Sequence, residues 1–309
     1  MTGDGRTDLR KLVCALGVAQ IVSWGTLFYS IAVLGPPMAR ALDIGDVALY
    51  GSFTAGLFLS GIASPWVGRR IDRGDSRFVL AGGSLLGAVA CALLACSVNG
   101  AMMLAGWLAA GIAMAGCLYD PAFSTLYRVA GSSYRNSVTA LTLFGGFAST
   151  VFWPLSHLLL EAWGWRLTFA IYAGFHLFIC LPIHQLFVPR HSHITRPEAD
   201  AKPEEVSPGL KDPRLFWLTA SFALATFIFG VIAVHLINLL TTAGLTAAQA
   251  VTISMLVGPM QVAGWVLTVF QTGVASLGRL RAIFVAVPTA RMRRTSISIR
   301  TLRCEPAAT

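Results

Sequence analysis

Phe78 to Tyr119 reads FVLAGGSLLGAVACALLACSVNGAMMLAGWLAAGIAMAGCLY, an unbroken run without Asp, Glu, Lys or Arg. A helix crossing about 30 Å of hydrocarbon needs about 20 apolar residues, so this run has room for two crossings. A second charge-free run extends from Leu215 to Gly278 and again holds two. Helices on the surface of soluble proteins carry a polar face, and these carry almost none. The fold class is therefore an all-α membrane protein.

The same criterion, carried outward, gives eight spans at about residues 12–34, 47–67, 78–97, 102–127, 136–160, 167–187, 215–240 and 247–272. Composition agrees: charged residues make up 12% of the 309, about half the share in an average soluble domain. The net charge of +9 invites a nucleic-acid reading, but its placement rejects one. Alternate connections hold 21 Lys and Arg on one side and 2, Arg40 and Arg166, on the other. Basic residues near helix ends stay in the cytoplasm, which predicts a multi-pass plasma (inner) membrane protein with both termini cytoplasmic. The first apolar run is of spanning length and lacks a small-residue cleavage site, so it reads as a membrane helix and not as a signal peptide. The six cysteines show no C-x-x-C spacing and read as small packing residues.

Residues 1–11 form a cytoplasmic N-terminus, 12–188 a six-helix bundle and 189–214 a proline-rich cytoplasmic linker. Residues 215–272 form two further helices, and 273–309 a basic tail predicted to be disordered. Shifted by 203 positions, the second group looks like a weak copy of the first: Leu12 falls on Leu215 and Gly61 on Gly264. Parallel copies of a six-helix unit build the rocking halves of many transporters. Small residues recur at Gly51, Gly56 and Gly61, at Gly82, Gly83 and Gly87, and at Gly106, Gly111 and Gly116. They let membrane helices approach closely, either for sliding or for static packing.

The loop after the second span reads Gly68-Arg69-Arg70-Ile71-Asp72-Arg73-Gly74-Asp75-Ser76-Arg77. It resembles the inner-loop motif G-x-x-x-D-R-x-G-R-R of the major facilitator superfamily (MFS), with Gly68, Asp72 and Arg73 in register. The second glycine comes one place early, at Gly74, and Arg77 keeps the distal basic position. Gly68 would permit close backbone approach; Asp72 would cap the next helix or pair with a cation on the opposing half. Trp163-Gly164-Trp165-Arg166-Leu167-Thr168-Phe169 resembles the superfamily's G-W-R-x-x-F element between helices 5 and 6, carried by Gly164, Trp165 and Arg166. Gly244–Ala250 is similar to the loop entering helix 8. Trp24-Gly25-Thr26-Leu27-Phe28-Tyr29 resembles monocarboxylate-type members.

The resemblance implies an MFS-like six-helix bundle plus two helices of an incomplete second half. It also departs from the pattern. Trp107 stands where members often carry an arginine, four residues before Gly111, which counts against proton coupling through that side chain. No acidic residue follows Gly264 until Glu305, so the acidic-basic motif is not repeated after helix 8. The seven arginines of the tail read either as attraction to anionic lipid or as a reading frame shifted somewhere after Gly264, replacing helices 9 to 12.

Ionisable groups inside a bilayer are costly and mark function by default. Asp120 is the one acid inside a predicted span, beside Pro121, which frees the Cys117 carbonyl from the helix ladder. Such a group can bind a cation, a proton or a substrate amine, or serve as a structural partner for Arg128. His176 sits near the middle of helix 6; His157 and His235 lie toward the outer ends of theirs. In the superfamily helices 1, 4 and 7 line the cavity, which makes Gln20, Tyr29, Asp120 and Asn238 candidate solute contacts. There is no phosphate-binding glycine loop, H-E-x-x-H or G-x-S-x-G, so neither an ATP-driven pump nor an enzyme is expected, and no metal or cofactor. The expected function is secondary transport of a small organic solute by alternating access, with H+ a candidate coupling ion and the lipid bilayer the only other partner. The alternative is a non-transporting remnant of such a transporter.

Overall fold

Apolar length translates directly into helices. The computed structural model describes residues 3–190, 213–264 and 267, and among them there is no strand. Most of the predicted linker and all of the basic tail lie outside the described residues. The chain divides into two units, Met1–Pro259 and Met260–Thr309; the second is described only by helical residues at 260–264 and 267.

Six described segments are long and apolar enough to cross a membrane. They are α1 (Asp8–Ala41), α2 (Asp46–Asp72), α3 (Ser76–Ala95), α4 (Gly100–Val129), the long segment Gly131–Phe187, and Leu215–Thr242. The long segment doubles back at Gly164, whose φ of 73° and ψ of 169° no helix contains. It supplies α5 (134–163) and α6 (165–187), and the next helix is α7 (Pro213–Thr242). Seven of the eight expected spans are thus present in order. The eighth begins as α8 (Ala247–Ser254), turns at 255–256 and resumes at 257; its last part lies outside the described residues.

The early glycine of the inner loop has a physical reason. Gly74 has φ +97°; its N–H donates to the Ile71 carbonyl at 2.8 Å, and that of Asp75 to the Arg70 carbonyl at 3.2 Å. This is a left-handed stop to α2. The same pair of bonds closes α1 around Asp43 (φ +53°) and α7 around Gly244 (φ +97°). Asp43 and Gly244 are 201 positions apart, as are the helix starts Asp46 and Ala247. The structural repeat therefore runs at 201, not at the 203 that the sequence suggests. In the second copy Thr246 caps α8 reciprocally with Gln249, a capping box that fixes the start of the helix.

The glycines mark helix crossings. A Cβ on Gly111 would fall inside the backbone of Gly56, and one on Gly56 inside the Trp107 carbonyl, so α2 and α4 touch backbone to backbone. Gly83 and Gly116 do the same for α3 and α4. Gly51, Gly61 and Gly68 face open space; the close approach expected at Gly68 is not made within the described residues.

One arginine ties helices together at each end, Arg166 far from the arginine-rich loops and Arg77 beside them. Arg166 Nη1 donates to the carbonyls of Ala95 (3.0 Å) and Ser97 (2.7 Å), at the C-terminal end of α3, while its guanidinium lies over Trp165 at 4.2 Å. At the basic end Arg77 Nε donates to the Val188 carbonyl at 2.5 Å, clipping the start of α3 to the end of α6. Arg166→Gln should lower stability in detergent by about 1–2 kcal/mol, because water covers part of the loss at this exposed position. Arg166→Lys should recover only a fraction, having no planar fork. Equal melting temperatures for all three proteins would contradict this.

Candidate functional site

Two helices relax from the α pitch where they meet. Trp24–Tyr29 of α1 and His176–Cys180 of α6 are single π-helical turns, a form frequent at functional positions. Thr26 Oγ1 donates to the Val22 carbonyl at 2.8 Å, which uses its only proton. The His176 Nε2 that lies 2.8 Å from the same oxygen must then be the donor. His176 is wholly buried, and its Nδ1 has no partner among the described residues. Gly87 of α3 leaves the space for its ring, since a Cβ there would come within 2.9 Å of Nδ1.

The break expected at Pro121 is real. α4 is interrupted at Leu118 (φ −84°, ψ −154°), and Pro121 has no N–H to offer the Cys117 carbonyl. Gln20 Nε2, reaching across from α1, donates to that carbonyl at 2.8 Å and also approaches the Leu118 carbonyl at 3.3 Å. Gln20 is fully buried, with its Oε1 unpartnered among the described residues. It holds the broken helix and does not face an open space. Asp120, two residues beyond the break, is exposed.

A cavity of about 480 Å³ opens between α1, α2, α4 and α7. Six aromatic side chains line it, Trp24 and Phe28 from α1, Tyr50 and Phe53 from α2, Phe227 and Phe229 from α7, among aliphatic ones such as Leu57, Met114 and Val234. Thr54, Ser60, Thr226 and His235 add the polar points, and among the described residues no acidic, Lys or Arg side chain lines it. At the far end, opposite the arginine-rich loops, Tyr50 and His235 meet with ring centroids 4.5 Å apart; deeper in, Phe28 and Phe229 stack at 6.4 Å and 9°. Contact then ends. On α7, Ala233, Val234 and Ile237 are buried, whereas nearly every residue from 215 to 228 is exposed. α7 is held at its far end only.

Of the residues singled out from sequence, none of Gln20, Tyr29, Asp120, His176 or Asn238 lines this cavity. Tyr29 is buried one layer behind it, 5.3 Å from the Phe28 ring and 5.4 Å from that of Trp153. Asn238 is exposed near the end of α7, its backbone carbonyl accepting from Thr241 and Thr242. In the inner loop, Asp72 and Arg73 are exposed. Asp72 does not cap α3: the residue before that helix is Asp75, which makes no side-chain cap. The backbone carbonyl of Asp72 instead accepts from Arg128 Nη1 at 3.0 Å, and Asp75 pairs with Arg70 at 3.6 Å. Gly164, Trp165 and Arg166 form the far-end turn described above. The cavity aromatics Tyr50, Phe53, Phe227 and Phe229 went unread, because in an apolar span a ring facing a cavity looks like one facing lipid. His184 was missed too; it is fully buried, its Nδ1 2.8 Å from Ser84 Oγ.

The sequence model of the Major Facilitator Superfamily matches residues 16–290. The chain belongs to the major facilitator superfamily. Among solved structures, this MFS chain is similar to a bacterial homolog of the human lysosomal transporter Spinster, in an inward-facing and unoccupied conformation. The TM-score is 0.63 at 14% identity, over 82% of this chain and 60% of that one. At that identity the similarity speaks for the fold alone, and this chain spans 60% of that structure's length. No curated protein matches. An MFS membership and seven ordered spans make this a multi-pass membrane protein of a transporter family.

Proposed function

We propose that the chain works in secondary transport of a small organic solute by alternating access, in the plasma membrane, with both termini cytoplasmic. One observation carries the reading. The aromatic cavity is closed at the far end by Tyr50–His235 and Phe28–Phe229, while α7 stands away from the bundle at the basic end. With the arginine-rich loops inside, this reading makes it a cavity shut to the exterior and open to the cytoplasm, one of the two states alternating access requires. The wall chemistry favours a solute that presents apolar or aromatic surface and few hydrogen-bonding groups.

H+ is the coupling ion this reading favours. Asp120, exposed at the start of a helix segment, and His176, with a bare ring nitrogen, are its candidate carriers. The inner-loop residues Gly68, Asp72, Arg73, Gly74 and Arg77 are proposed to bias the resting state through the Arg128 bridge to α2.

Purified chain in lipid vesicles should move at least one member of a panel of aromatic and aliphatic organic solutes, faster with a pH gradient than without. In Asp120→Asn the gradient should lose its effect while flux persists. An unchanged pH response would remove Asp120 from the mechanism. No flux for any solute would overturn transport and leave the second reading, a remnant that does not transport. That reading has its own support: Phe216, Trp217 and Phe222 are half or more exposed on α7, apolar surface that further helices would cover.

A further inference from the structure

At the basic end a second hollow, about 800 Å³, runs between α3 and α6 and shares no lining residue with the first. Its α3 wall is Arg77, Phe78, Ala81, Gly82 and Leu85; its α6 wall includes Leu181, Gln185 and Leu186, ending at Arg190. The α3 positions recur at three and four residues, so they form one helix face. That face is turned outward: Phe78, Leu85 and Leu186 are 63%, 50% and 75% exposed.

Gly82 is the telling residue. Glycine inside a helix is unfavourable relative to alanine, and its neighbour Gly83 has a reason to be there, the backbone of Gly116. Gly82 has none, because a Cβ on it would meet nothing within 4 Å. Its effect is to deepen the groove. At the mouth Arg77 is held in place by its Nε bond to the Val188 carbonyl, with Arg190 two residues beyond that carbonyl. The one acid lining the groove, Asp75, is paired to Arg70.

We infer that this groove is a binding site for one anionic phospholipid, its phosphate between Arg77 and Arg190, its glycerol beside Gln185, and one acyl chain laid over Gly82. The two ends of the groove match the two ends of such a molecule. Basic pockets between membrane helices on the cytoplasmic side are known to take acidic head groups, and a channel floored by glycine and walled by Phe78, Leu85 and Leu186 suits a hydrocarbon chain.

The test uses the full chain in nanodiscs of phosphatidylcholine carrying a trace of spin-labelled phosphatidylglycerol, or of spin-labelled phosphatidylcholine. The chain should immobilise the first several-fold more than the second. Arg190→Gln with Arg77→Gln should abolish the preference. Gly82→Leu, which adds a side chain where nothing opposes it, should reduce immobilisation of phosphatidylglycerol at least threefold while leaving the melting temperature unchanged. Equal immobilisation of both lipids by the unaltered chain would overturn the site. So would competition by millimolar inorganic phosphate, which would make it a site for a free anion, or a Gly82→Leu protein that binds phosphatidylglycerol as before.

Discussion

Gly111→Leu should yield almost no folded protein. A Cβ at this position would lie inside the Gly56 carbonyl, and the atom in the way is backbone, not a side chain that can swing aside. α2 and α4 would have to separate, taking with them the packing of Phe53 against Trp107, 5.1 Å between rings. Overpacking in cores costs about 1–3 kcal/mol when side chains can adjust; with two backbones in contact the penalty should exceed that range. The measure is the monodisperse fraction after extraction in mild detergent, expected to fall at least tenfold. Gly61→Leu, on the same helix but facing open space, is the matched control and should extract normally. Comparable yields for both would mean that the glycine contact does not hold these helices.

Gly230→Phe should have the opposite profile: normal folding with solute flux reduced at least tenfold. Gly230 lines the aromatic cavity, and a Cβ there meets nothing within 4 Å. A phenyl group would project into a space of about 480 Å³ and narrow the solute path. The assay is uptake into vesicles, with the melting temperature as the folding check. Reduced flux with a lowered melting temperature would point to damage to α7 and not to a plugged cavity. Unchanged flux would place the solute path elsewhere.

The spans were legible in the sequence because hydrocarbon thickness dictates length, and the hairpin point at Gly164 lay inside a recognised motif. What could not be read was phase. Gln20 was picked as a polar point on a cavity-lining helix, yet it faces the interior, pinned to the carbonyl that Pro121 frees. Both halves of that bond were visible in the sequence, but not that they belonged to each other. Asp120 drew attention as an acid in an apolar span; the break at Leu118 turns it outward. Tyr50 and His235 were separated by the whole bundle, and only the packing of α7 brings them together.

The π turn at Trp24–Tyr29 bears on that missing phase. Each residue of an α-helix advances about 100°, and a turn wound wider slips the sequence around the axis. Leu12–Val22 and Ile31–Ala39 therefore belong to two stripes that a single helical wheel cannot superimpose. Geometrically the turn counts as one added residue, and Thr26 and His176 are bonded across it. A comparison of helical faces that ignores it would set inward-facing positions against lipid-facing ones.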